Sequence, residues 1–117
     1  MKRAPRDAPL FQSGFHVLLA LAGADRHGYA IKQEIERVTA GAVRLGPGTL
    51  YEAIQRLEQR GLIVESRERP DADARADRRY YHLTAEGRRV LRAEVDRAAR
   101  IVEYARSRRL LGPEGSR

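Results

Sequence analysis

The chain has 117 residues, of which 33% are charged, 42% hydrophobic and only 6% aromatic, and it contains no cysteine. At that length one domain with a single core is expected; disulfides, thiolate metal sites and cysteine nucleophiles are excluded. No apolar run approaches the ~20 residues of a membrane span and no signal peptide is discernible, so a soluble, cytoplasmic chain with no membrane partner is expected. Lys+Arg number 23 against 16 Asp+Glu, a net charge of +7, and only Lys2 and Lys32 among the cations are not arginine. This excess favours a polyanionic partner, although arginine and alanine together are also what a GC-rich coding sequence produces.

Residues 1–8 are polar and basic, and Pro5 and Pro9 oppose an early helix, so a flexible basic arm is expected there, with Lys2, Arg3 and Arg6 adding unspecific affinity. From Leu10 to Ala22 the apolar positions mark a mostly buried helix that Gly14 weakens and Gly23 ends. Asp25 can cap a second helix with the apolar face Ile31, Ile35 and Val38 and with Gly41 beyond its end. A third helix is expected from about Pro47 to Arg60. Its Leu50, Ala53, Ile54 and Leu57 share one face, and Thr49, Glu52, Gln55, Arg56 and Gln59 make the other. Leu62 to about Glu68 and Arg78 to Leu83 then form two strands around a polar loop containing Pro70 and Arg75, a hairpin with a long tip.

Thr84 caps a fourth helix, with Glu86 in its first turn, that reaches roughly Leu111 before Gly112-Pro113. Along it Leu91, Val95, Ala98, Val102 and Ala105 recur at heptad spacing, the stripe of a helix that pairs with a second copy of itself. The fold class expected is mainly α with a small β-hairpin: a winged helix-turn-helix over residues 9–83, a long C-terminal dimerisation helix over 84–111, and a tail over 112–117.

Four motifs carry a resemblance. Gly28-Tyr29 opens the second helix, Gly48-Thr49-Leu50-Tyr51 opens the third, and Arg56-Leu57-Glu58-x-x-Gly61-Leu62-Ile63 ends it. Arg79-Tyr80-Tyr81-x-Leu83-Thr84-x-x-Gly87 adds the junction between hairpin and last helix. In this order they resemble the PadR family of bacterial transcriptional regulators, over about residues 15–105. The single helix after the wing is similar to that of the small-subfamily members. The resemblance implies a dimeric, ligand-responsive repressor that docks its third helix in the major groove of double-stranded DNA and lays the wing along the backbone.

The residues agree with that implication. A helix N-terminus presents free N–H groups and the positive end of its dipole to phosphate, and Gly46, Pro47 and Gly48 keep it slim. Thr49 and Tyr51 offer hydroxyls, while Gln55 and Arg56 reach base edges or backbone. Tyr29 and Lys32 on the second helix are further contact candidates, Tyr29 being equally readable as core packing. Arg75, Arg78 and Arg79 belong to the wing, and strand alternation puts Arg78 and Arg79 on opposite faces, only one toward DNA. Glu52 departs from this pattern: it either accepts from cytosine N4 or pairs with Arg56 one turn on, the plainer of the two readings.

For the effector, the resemblance implies a small planar aromatic molecule at the dimer helices. No tryptophan is available to stack on it, and Phe11, Phe15, Val95 and Ala98 are the candidates to line a gap between subunits. No metal site or cofactor is expected. His16, His27 and His82 are scattered and suit capping or core roles. The Asp71–Asp77 spacing has Arg75 in a ligand slot of a calcium loop. Gly46-x-Gly48-x-x-Tyr51 lacks the third glycine of a dinucleotide loop, and no serine sits in a nucleophile motif. The basic last helix is interrupted by Glu94, Asp96 and Glu103, which suits a solvated helix better than a membrane surface. Enzymatic function finds no support. The alternatives to a specific regulator are a sequence-tolerant chromosome-binding protein, or a small-molecule or protein-interaction module that keeps the fold without using DNA.

Overall fold

The computed structural model describes residues 10–66 and 78–112. The expected basic arm, the loop with Arg75 and the tail past Gly112 lie outside the described residues. The elements are α1 (Gln12–Ala20), β1 (Arg26–His27), α2 (Gly28–Val38), α3 (Pro47–Gln59), β2 (Ile63–Ser66), β3 (Tyr80–Leu83) and α4 (Ala85–Ser107).

α1 lies at the centre of the helical layer, packed against α2, α3 and α4. It is shorter at both ends than the expected Leu10–Ala22. Gly14 has a positive role in it: the Phe11 ring occupies the place of a Cβ, 2.8 Å from where one would stand. Val17 and Leu18 of α1, Ile31 of α2, Leu57 of α3 and Leu62 and Ile63 beyond it are the largest fully buried side chains. Val38, expected on the buried face of α2, is 52% exposed, because the helix ends there and the chain turns away through Ala40 and Gly41, both with positive φ (53° and 82°).

The sheet has three antiparallel strands in the order β1-β3-β2, one more than the hairpin expected. Arg26 and His27 pair with Tyr81 and Tyr80, and Ile63–Ser66 pair with Leu83–Tyr80. With β3 central, Tyr80 and Tyr81 are both buried, on opposite faces: Tyr81 joins the core, and Tyr80 packs edge-on against His27 with ring centroids 5.2 Å apart. The new strand also changes the capping of α2. Asp25 is not the cap; its Oδ1 accepts from His82 Nδ1 at 2.8 Å. The cap is His27, whose Nδ1 accepts the Ala30 N–H at 3.2 Å.

The wing and α4 are joined at one tight knot. Thr84 Oγ1 lies 2.8 Å from the Gly61 carbonyl and 3.0 Å from that of Leu62, Thr84 N–H donates to Leu62 O at 3.1 Å, and Gly87 N–H donates to Thr84 Oγ1 at 2.9 Å. A Cβ on Gly87 would run into the Leu62 carbonyl oxygen and stand 2.8 Å from Leu83 Cδ1. At its other end α4 stops at Ser107, short of the expected Leu111. Arg109 takes a left-handed φ of 64°, and the N–H groups of Arg109 and Leu110 close back on Arg106 and Ala105. Such a terminus answers the last carbonyls without a glycine.

A second clip ties α4 to the segment before α1. Glu94 Oε2 accepts the Leu10 N–H at 2.9 Å and a bond from Arg97 at 2.7 Å. Partial burial works to raise the Glu94 carboxyl, but the Leu10 and Arg97 bonds outweigh it and hold it below the usual carboxylate range.

Stability measurements on substituted chains test this packing. Gly87→Ala forces the Leu62 carbonyl aside and should destabilise the fold by about 1–3 kcal/mol in urea denaturation. Gly48→Ala, with open space at the Cβ position, should be neutral or slightly stabilising. Because the folded-state Glu94 carboxyl is depressed, its stabilisation is full above the ordinary value of 4.5 and is lost as pH falls through the folded value. Denaturation midpoints of Glu94→Gln and the parent, separated at neutral pH, should therefore converge as pH falls from 4.5 through the folded value.

Candidate nucleic-acid interface

α3 begins without a side-chain cap: Gly46 is the N-cap, Pro47 follows, and the region around Gly48 is open. The first N–H groups of the helix therefore face outward. At helical spacing Gly48, Glu52, Gln55 and Gln59 stand opposite the buried Leu50, Ala53, Ile54 and Leu57, and all four are exposed. Tyr51 and Glu58 flank this face on one side, Thr49 and Arg56 on the other.

Tyr51 leans toward the start of α2. Its ring lies directly over Gly28, where a Cβ would collide with the hydroxyl. This contact, together with the hairpin, closes a cleft of about 400 Å3. Gly28 and Tyr29 of α2, Tyr51 of α3, and Arg78, Arg79 and Tyr81 line it, with His27. Arg78 Nη1 is 2.9 Å from His27 Nε2. A guanidinium only donates, so Nε2 is the acceptor of that contact, and it is Arg78 that brings donors to this side of the cleft. Burial, aided by the Glu58 charge, pushes the Tyr81 phenol above its usual value of 10.0 and keeps it a neutral hydroxyl. Donor groups and cations on a concave surface suit an anionic oxygen-rich partner such as a nucleic-acid backbone.

Several sequence-derived site residues come together here: Tyr29, Tyr51, Arg78 and Arg79. Both arginines line the cleft because β3 starts only at Tyr80, so the strict alternation expected of them does not apply. Gly48, Thr49 and Gln55 lie on or beside the exposed α3 face. Lys32 is drawn elsewhere, into an ion pair with Glu36 at 2.6 Å on its own helix. Arg56 does not pair with Glu52: its guanidinium stands 3.8 Å over the Phe11 ring. Position on the α1 flank and an available aromatic face decide that contact. His27 and Tyr81 were missed as part of the cleft. β1, which brings His27 to β3, is two residues long and leaves no periodic signal.

On α4, Leu91 is only 5% exposed and belongs to the core of its own chain, so the expected stripe is not uniformly exposed. From Val95 onward the apolar positions are uncovered: Val95 is 41% exposed, Ile101 68%, Val102 43% and Tyr104 65%. Ala98 is exposed and Ala105 half-buried. Phe11 and Phe15 are partly buried against the core, Phe11 held between Arg56 and Gly14.

The profile of the family described as "Transcriptional regulator PadR-like family" matches residues 17–93. Among curated relatives, "Transcriptional regulator Rv3488" of Mycobacterium tuberculosis is 41% identical over 76 residues, 65% of this chain and 65% of its own length. A 37.1 kDa protein in transposon TN4556 of Streptomyces fradiae is 42% identical over 85 residues, 73% of this chain but 22% of its own. The chain thus spans less than two thirds of either relative. Among solved structures, a PadR family transcription regulator from Clostridium difficile superposes with a TM-score of 0.69 at 25% identity, covering 83% of this chain and 97% of that one.

The Tyr51–Gly28 contact can be probed without touching the core. Gly28→Ala should swing the tyrosine hydroxyl out of the cleft, leave thermal stability nearly unchanged, and weaken binding to duplex DNA by about tenfold, the loss of one hydrogen bond to a charged oxygen. Anisotropy titration beside a melting curve checks both halves of that expectation.

Proposed function

Since the chain belongs to the transcriptional regulator PadR-like family, a family of transcriptional regulators rather than enzymes, we propose that it is a cytoplasmic, ligand-responsive DNA-binding repressor. It acts as a homodimer on a pseudo-palindromic operator, with the two α3 helices in successive major grooves about one helical turn apart. The observation that carries this reading is the convergence of Gly28, Tyr29, Tyr51, Arg78 and Arg79 on one cleft beside the exposed face of α3. A phosphate held in the cleft would fix the register of the duplex, and Thr49, Gln55 and their neighbours would meet the base edges. Arg75, between the strands, would add a backbone contact, and Arg56 would reach phosphate from the flank of α3 without leaving Phe11.

Dimerisation would use the uncovered part of α4, Val95, Ala98, Val102 and Ala105, with Ile101 and Tyr104 beside them. Exposed apolar side chains repeated along a helix are what a partner helix buries. The small Ala98 at the middle of that stripe, with Val95, Phe11 and Phe15 near one end, would leave room for a planar aromatic effector whose binding changes how the two helices meet.

Anisotropy titration against duplex DNA from upstream of the protein's own coding sequence tests the reading at near-physiological salt. The expected preference over a scrambled duplex is about 10³-fold. Arg78→Ala or Arg79→Ala should weaken binding to both duplexes and lower the salt slope by about one each. Val102→Asp should yield monomers that bind poorly. Equal binding to both duplexes would favour a sequence-tolerant chromosome protein, and no binding to either a module that does not use DNA.

A further inference from the structure

The centre of the α3 face is held by a carboxylate. Glu52 is exposed, stands opposite the helix's buried side, and has no hydrogen-bond or ion-pair partner among the described residues. The glutamates of α2 and α4 are neutralised locally, Glu34 by Arg37, Glu36 by Lys32, Glu86 by Arg89, Glu94 by Arg97 and Glu103 by Arg106, whereas on α3 Glu52 and, at the edge of its face, Glu58 have no such partner among the described residues. The arginine spaced to neutralise Glu52 is Arg56, and it is turned away onto Phe11. Neutralising Glu52 would need only one rotated guanidinium, yet the charge is left bare in a chain of net charge +7.

We infer that Glu52 is the specificity-determining residue of the interface, and that it selects a cytosine in the major groove of each half-site. The inference rests on the proposed docking of α3 in that groove. A glutamate carboxylate only accepts hydrogen bonds. Guanine presents O6 and N7, both acceptors, and thymine presents O4 and a methyl group. Adenine offers its N6 amino group beside the N7 acceptor, and cytosine alone offers an amino donor, N4, with no acceptor of its own alongside. A carboxylate at the centre of the face is therefore attracted by one base edge and opposed by the others. It is also repelled by every phosphate, which lowers affinity for unrelated DNA and widens the gap between the right site and the wrong ones.

The test compares the parent, Glu52→Gln and Glu52→Ala, each as the full chain. Because the side chain is exposed and unbonded, all three should melt alike. Binding sites are selected from a pool of randomised duplexes, and the preferred duplex is then titrated with each of the four bases at every position. The parent should prefer cytosine at one position per half-site by about tenfold or more, the discrimination of one good base contact. Glu52→Gln should move that preference toward adenine, which glutamine reads through N6 and N7. Glu52→Ala should level it to within about twofold and bind a scrambled duplex more tightly than the parent does. If both variants keep the parent's base preference at every position, the role assigned to Glu52 is overturned while the docking of α3 stands. If the parent itself discriminates no base at any position, the docking and the inference fall together.

Discussion

The hydroxyl of Thr84 is the joint on which the arrangement of the protein depends. It ties the turn after α3 to the first turn of α4 through the carbonyls of Gly61 and Leu62 and the N–H of Gly87. Two segments distant in sequence are thereby fixed at one point: the turn after α3, and the junction where the central strand runs into α4. Satisfying those backbone groups inside the fold removes the cost of burying them unpaired. The exclusion of any side chain at position 87 lets the helix come down onto the Leu62 carbonyl. Val90 and Leu91 then close the core beneath it, and the face of α3 is held at a fixed angle to the uncovered length of α4.

Charge is distributed by the same local logic. The i,i+3 and i,i+4 pairs of α2 and α4 lie at the surface, where each adds little to stability. Their effect is selective: they occupy carboxylates and some cations on the flanks and leave the cleft with its arginines and the α3 face with Glu52. Beside the donor-rich concavity, the α3 face thus presents the bare carboxylate of Glu52 at its centre. On the proposed reading these serve two different kinds of recognition on one surface, one indifferent to sequence and one sensitive to it.

Periodicity made α2 and α3 legible, because their buried residues recur at helical spacing and their ends carry Gly41, Pro47 and Gly61. The Thr84 cap and the Gly87 position were equally readable, since capping is local chemistry. What escaped was set by tertiary pairing. β1 is too short to show a pattern and exists because β3 has an unpaired edge. That pairing carries Asp25 to His82 and hands the cap of α2 to His27. The heptad spacing of α4 was real, but Leu91 belongs to the core of the chain and the rest of the stripe does not, a division that depends on where the globule ends. The choice of Arg56 between Glu52 and Phe11 likewise turns on where α1 lies.

Only the first two turns of α4 are held by the core, while the helix as a whole, at 1.5 Å per residue, is about 35 Å long. The consequence is hydrodynamic. The Cα radius of gyration is 15.8 Å and the principal extents are 49 × 38 × 25 Å, against about 13 Å for the radius of a compact globule of this length. A single chain therefore drags more solvent than its mass implies and elutes early from a sizing column, in the direction of a dimer. Shape and stoichiometry are confounded in that measurement, and light scattering, which weighs the particle without reference to its outline, separates them.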